Sequence, residues 1–140
     1  MMTAKDVMTR ELLTVTPATP LREFARLCAE DNVSGAPVVR VDGALVGIIS
    51  RTDLMRRLLE DDPMFGGSSP AEGLPSIGED NRQVADVMET KVVSVAPDTP
   101  VHEVAELMVE DRIHRVLVVE NDEPVGIITS LDLLAHYPEP

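Results

Sequence analysis

The chain has 140 residues, 44% of them hydrophobic, which suits one compact domain; aromatic residues make up only 2% and tryptophan is absent, so its core must be aliphatic. A formal charge of −13 opposes the phosphate neutralisation that drives nucleic-acid binding, and no DNA or RNA partner is expected. The single cysteine excludes an intramolecular disulfide, and with no bilayer-length apolar run and no charged-then-apolar leader the expectation is a reduced, soluble, cytoplasmic protein with no membrane partner.

The first predicted element is a short helical turn, Ala4 to Met8, followed by a β-rich stretch from Leu12 to Thr16. Thr19-Pro20 then reads as a helix start, with the hydroxyl residue as N-cap and proline in the first helical position. Leu21, Phe24, Leu27 and Cys28 follow at helical spacing. Cys28 lies on that apolar stripe and reads as a packing residue, not a nucleophile. Ala36 to Val41 and Leu45 to Ile49, separated by Asp42-Gly43, predict a hairpin. After Ser50 the pattern turns helical again through Leu54, Leu58 and Leu59. From Asp61 to Asn81 the chain carries Pro63, Gly66-Gly67-Ser68-Ser69-Pro70, Gly73, Pro75 and Gly78, too many breakers for an ordered element, and is read as a flexible linker.

Beyond it the same order returns. A helical turn spans Val84 to Met88, a β-rich stretch Val92 to Ala96, and a Thr99-Pro100 helix start leads into Val101, Val104, Leu107 and Met108. Val116 to Val119, an Asn121-Asp122 turn and Val125 to Ile128 form a second hairpin, and Leu131 to Leu134 a last helix. Asp6-Val7-Met8 recurs as Asp86-Val87-Met88, 80 positions on, and Val46-Gly47-Ile48-Ile49 as Val125-Gly126-Ile127-Ile128, 79 positions on. The one-residue difference belongs in the hairpin turn. Such self-similarity means one supersecondary unit, β-α-β-β-α, used twice. Each copy alone would be a marginal folder, so the expected fold class is α/β, two repeats packed face to face as a pseudo-two-fold pair: repeat 1 over 1–60, linker over 61–82, repeat 2 over 83–140.

The duplicated feature with chemical content is the strand-to-helix junction, Gly47-Ile48-Ile49-Ser50-Arg51-Thr52-Asp53 and Gly126-Ile127-Ile128-Thr129-Ser130-Leu131-Asp132. Hydroxyl-x-x-Asp before an apolar run fits a helix capping box. It also fits a ligand: a helix start favours phosphate, and an aspartate in the same turn can accept hydrogen bonds from a sugar diol.

The element order, the Thr-Pro helix starts, the hairpins and the Gly-x-x-Ser/Thr-x-x-Asp endings resemble a tandem pair of CBS domains, named for cystathionine β-synthase, over nearly the whole chain except the linker. That resemblance implies a regulatory module whose clefts bind adenosine ligands: AMP, ADP, ATP or S-adenosylmethionine. It gives the phosphate to Ser50 and Thr129 and the ribose diol to Asp53 and Asp132, with adenine among aliphatic side chains. By position Thr14, Thr16, Val33, Ser34, Gly35, Ala36 and Pro37 line the first cleft and Ser94, Ala96, Ile113 and Val116 the second. His114-Arg115, which replaces Ser34-Gly35, resembles a His-Arg step that contacts phosphates in the nucleotide-binding subunit of AMP-activated protein kinase; the alternative is a solvated turn. The resemblance also implies a homodimer, with Leu54, Met55, Leu58, Leu131 and Leu134 as interface candidates, and an unidentified regulated protein as a partner. Neither a nucleophile with its base nor a cofactor cradle is legible, so no catalytic residue is expected and no cofactor is required. Three scattered histidines make no metal site. Two alternatives remain: a ligand-free oligomerisation or interaction scaffold in which the motif only caps helices, and a sensor linked to S-adenosylmethionine or to magnesium, the latter collected by an acidic surface that includes Asp61-Asp62.

Overall fold

In the computed structural model, which describes residues 1–61 and 81–136, the second repeat has the β-α-β-β-α order, whereas in the first the expected strand from Leu12 to Thr16 is reduced to a single bridge at Val15, leaving α-β-β-α. The predicted linker lies outside the described residues except for its ends, as does Asp62. The elements are α1 (Ala4–Val7), α2 (Leu21–Glu30), β1 (Gly35–Val39), β2 (Leu45–Ser50), α3 (Arg51–Asp61), a 3-10 turn (Val84–Asp86), β3 (Ser94–Val95), α4 (Val101–Asp111), β4 (Arg115–Glu120), β5 (Glu123–Thr129) and α5 (Ser130–Ala135). None of the described helices is long and apolar enough to cross a membrane.

The chain divides into two compact units, and each takes its opening turn from the other repeat. One unit joins residues 14–41 and 46–90. Here β1 pairs with β2, and Val15 forms a parallel bridge with Val38. Leu21, Phe24, Ala36, Val38, Ile49 and Leu54 bury their side chains together with Val84, which belongs to the second repeat's opening turn. That turn is fastened by main-chain bonds from Val84 N to Thr19 O (2.8 Å), from Leu21 N to Arg82 O (2.9 Å) and by the reciprocal pair Ile48 and Glu89 (2.9 and 2.8 Å).

The other unit joins residues 1–13 and 42–45 to the chain from Lys91 onward. β4 is its central strand, parallel to β3 and antiparallel to β5. Its core holds Val104, Met108, Val116, Val118 and Ile128 together with Ala4 and Val7 of α1. The fastening repeats the first unit's: Ala4 N to Thr99 O (2.8 Å), Val101 N to Met2 O (3.0 Å), and the reciprocal pair Thr9 and Ile127 (2.8 and 3.0 Å). The repeated glycine makes room for the repeated methionine. A Cβ on Gly126 would run into Met8, and one on Gly47 would lie 2.9 Å from both Met88 Sδ and the Glu89 carbonyl oxygen.

Two expectations are corrected. Thr19 and Thr99 do not cap α2 and α4: the N-cap residues are Pro20 and Pro100, without a side-chain cap bond. Thr19 Oγ1 instead accepts from Thr16 N (2.9 Å) and Thr99 Oγ1 from Ala96 N (3.1 Å), closing the turn before each helix while the proline carbonyl accepts the first helical N–H groups. Of the interface candidates, Leu54 is buried and Leu58 packs against its own unit's core, because both fall on the stripe of α3 that packs on that core; Met55, Leu131 and Leu134 are exposed, as is Leu59, which is not one of the candidates.

Candidate functional site

The two junctions are built alike. Where β2 ends, Ser50 N donates to Asp53 Oδ2 (3.0 Å) and Asp53 N donates back to Ser50 Oγ (3.1 Å). Where β5 ends, Thr129 N donates to Asp132 Oδ2 (2.9 Å) and Asp132 N to Thr129 Oγ1 (3.1 Å). Both hydroxyl–carboxylate pairs therefore form reciprocal capping boxes. A cap uses only part of each group. A serine or threonine oxygen accepting one N–H keeps its own O–H to donate, and a carboxylate bonded through Oδ2 keeps Oδ1 to accept. Asp53 Oδ1 is shared with Arg56 (3.5 Å), whereas Asp132 Oδ1 has no partner among the described residues.

Main-chain bonds bring the variable loop to each junction. Arg51 N donates to Ser34 O (3.0 Å), and Ser130 N to His114 O (2.9 Å). The chain reaches these loops through residues in the left-handed region just past each helix, Asn32 (φ 57°) and Arg112 (φ 53°), and each reverses the chain toward the sheet. Ser34 and Gly35 thus stand beside Ser50 and Asp53, and His114 and Arg115 beside Thr129 and Asp132, with Arg115 directly opposite Thr129 in the ladder. His114 is exposed and Arg115 half-buried.

The other predicted lining residues divide. Val33 and Ile113 pack on the cores of their own units. Ala36, Pro37 and Val116 are buried, so they offer a ligand main chain more than side chain. Val15 N donates to Pro37 O (3.0 Å) and Val39 N to Val15 O (2.8 Å), which sets Thr14 and Thr16 on either side of the bridge. Ser94 faces Leu117 in the β3–β4 ladder, two residues from Arg115. Thr16 and Ala96 each lie toward the far end of their own unit's sheet: Val15 bridges Val38 in one, and in the other Val95 pairs with Val118, so Ala96 is about 13 Å along β4 from the Arg115 end at 3.3 Å per residue. Thr16 also commits its hydroxyl to Thr19 (3.1 Å).

Arg51 was legible in the motif but not singled out. As the first residue of α3, next to Ser50, it gives the first junction a cation that Ser130 does not give the second. Cys28 is half-buried against the same core, and burial pushes its thiol pKa up, with Arg51 opposing that shift in part. Such a thiol stays protonated and serves packing. Among the described residues no group of three or more His, Cys, Asp or Glu side chains is placed to hold a metal ion.

A family model described as CBS domain matches the chain twice, over residues 4–60 and 84–139. Uncharacterized protein MJ1426 of Methanocaldococcus jannaschii is 32% identical, the alignment covering 95% of this chain and 89% of that protein. MJ1232 of the same organism is 34% identical over 92% of this chain, which spans only 37% of that relative. Inosine-5'-monophosphate dehydrogenase of that organism is 30% identical over 97% of this chain but only 24% of the enzyme's length. Among solved structures, the CBS domain pair of protein MJ0100 in complex with 5'-methylthioadenosine and S-adenosyl-L-methionine superposes with a TM-score of 0.76 at 25% identity, covering 97% of this chain and 99% of that one. CBSX2 in complex with AMP superposes with a TM-score of 0.76 at 26% identity, covering 96% and 95%.

Proposed function

The chain belongs to the CBS domain family, and from that premise we propose that it is a regulatory module that binds an adenosine ligand, AMP, ADP or ATP first, without catalysing a reaction. The observation that carries this reading is the partial use of each capping box. Thr129 keeps an O–H for a phosphate oxygen and Asp132 keeps Oδ1 for a ribose hydroxyl while both still cap α5. Capping and ligand binding are compatible uses of the same atoms. Arg115, beside Thr129, adds a planar fork of donors for phosphate. AMP and S-adenosylmethionine in the similar structures support the ligand class, and the partial match to a dehydrogenase covers too little of that enzyme to bring its activity here. A cytoplasmic setting, a homodimer and an effect on a regulated protein belong to the same reading.

Calorimetric titration tests it. At least one of AMP, ADP, ATP and S-adenosylmethionine is expected to bind saturably. Asp132→Ala should both weaken that binding and lower stability by about 0.5 to 2 kcal/mol, the worth of a helix cap. Loss of stability with unchanged affinity, or no saturable heat with any of the four, would leave a ligand-free scaffold as the function.

A further inference from the structure

A cavity of about 580 Å³ opens at the other end of the β3–β4–β5 sheet from Arg115 and Thr129. It lies wholly within the unit formed by the N-terminal segment and the second repeat. Its apolar wall comes from Met8, Ala96, Pro97, Val119 and Val125. The framework is fixed by main-chain bonds: Lys5 N donates to Pro97 O (2.9 Å) and Thr99 N to Ala96 O (3.1 Å). The β4–β5 ladder shifts register between Val118 and Val119, at the cavity wall, and bulges of this kind re-aim side chains next to sites.

Asn121 and four ionisable side chains, two of each sign, complete the lining. Lys5 and Arg10 come from the N-terminal segment, whereas Asp98 and Glu120 come from the turn before α4 and the end of β4. None of the four makes an ion pair with another described residue. Arg10 donates only to the Lys5 carbonyl, at 3.4 Å.

The duplication supplies an internal control. Four of the five wall residues have apolar counterparts in the other repeat, Met88, Pro17, Val39 and Val46, and Thr16 stands where this wall has Ala96. Three of the four charges have no charged counterpart: Lys5 corresponds to Ala85, Arg10 to Thr90 and Asp98 to Ala18, while at the fourth position Glu120 is replaced by a charge of opposite sign, Arg40. The fold needs no charge at the first three positions and no carboxylate at the fourth. Two cations from the N-terminal segment, two carboxylates from the second repeat and an apolar wall complement a small zwitterion with an apolar body, and the volume falls in the usual range for small-molecule sites.

We propose that this cavity is a second ligand site, separate from the adenosine clefts, for a free α-amino acid with an apolar side chain. Its carboxylate faces Lys5 and Arg10, its ammonium faces Asp98 and Glu120, and its side chain lies on Met8, Val119 and Val125. Calorimetry with L-leucine and L-methionine tests the site, with N-acetyl-L-leucine lacking the ammonium and L-leucinamide lacking the carboxylate as controls. A free amino acid is expected to bind saturably and both blocked derivatives about tenfold more weakly, since each loses a charge-assisted contact. Lys5→Ala, Arg10→Thr and Asp98→Ala install the residues that the other repeat already carries at those places. Each should weaken leucine or methionine about tenfold and leave AMP titration unchanged, which separates this site from the adenosine clefts. No saturable heat with either amino acid at about 10 mM, equal binding of the N-acetyl derivative, or full affinity in all three variants would overturn the proposal.

Discussion

Gly126 and Gly47 occupy equivalent places, yet their substitution has different consequences. At Gly126 the atoms in the way of a Cβ all belong to the Met8 side chain, with Cγ at 2.8 Å; at Gly47 the Glu89 carbonyl oxygen stands at 2.9 Å beside Met88. A side chain can be truncated and a paired carbonyl cannot. Gly126→Ala should cost about 1 to 3 kcal/mol through overpacking and regain part of that in a Met8→Ala background, whereas Gly47→Ala should stay destabilised when Met88 is shortened; denaturant melts of the parent, the single variants and the two double variants give both couplings. Asp6 carries a pH signature. The Thr3 main-chain N–H (2.8 Å) and then its hydroxyl (3.1 Å) donate to Asp6 Oδ2 and hold this exposed carboxyl below its ordinary value of 3.8. A carboxyl depressed by folding contributes stability that is present above the unfolded value and lost as pH falls through the folded one. The gap in melting temperature between the parent chain and Asp6→Asn should therefore close as pH drops from about 5 to below 3, and a constant gap would refute the linkage.

At the scale of elements, the helices show how far local pattern carries. Apolar spacing placed α2 and α4 on their cores through Leu21, Phe24, Val104 and Met108, and hydroxyl-x-x-Asp placed the caps of α3 and α5. Thr-Pro gave the right helices with the wrong cap, because proline's fixed φ near −60° and extended ψ already form the cap residue and leave the threonine one step outside. The outer faces of α3 and α5 keep Met55 at 46%, Leu59 at 47% and Leu131 and Leu134 at 69% exposure, which supports the proposed homodimer through these helices. Light scattering at micromolar concentration should give twice the chain mass, and Leu131→Asp with Leu134→Asp should shift it to monomer; an unshifted mass would place the contact elsewhere.

For the whole molecule, the exchange of opening turns makes residues 1–13 part of a core built mainly from the second repeat. Ala4 is fully buried and Val7 is 5% exposed, with Met2 and Met8 packed beside them. At roughly 1.5 to 3 kcal/mol for each large apolar side chain, deleting the segment removes a sizeable share of the 5 to 15 kcal/mol that holds an ordinary domain. Hydrogen exchange of the truncated chain should rise first over β3, β4 and β5, while the amides of β1 and β2 keep their protection; equal loss in both units would contradict two separate cores. By itself the sequence determined the repeated α-β-β-α order, the hairpins and the two hydroxyl–carboxylate junctions, because each rests on contacts within a few residues or on a two- or 3.6-residue period. Only the tertiary structure decided that Asp-Val-Met of each copy packs on Val-Gly-Ile-Ile of the other, that Leu54 faces its own core, and that Ala96 lines a cavity at the other end of the sheet from Arg115. The physical reason is degeneracy: identical motifs in the two repeats offer equivalent grooves to equivalent methionines, so local pattern fixes which surface is buried but not which copy supplies its cover.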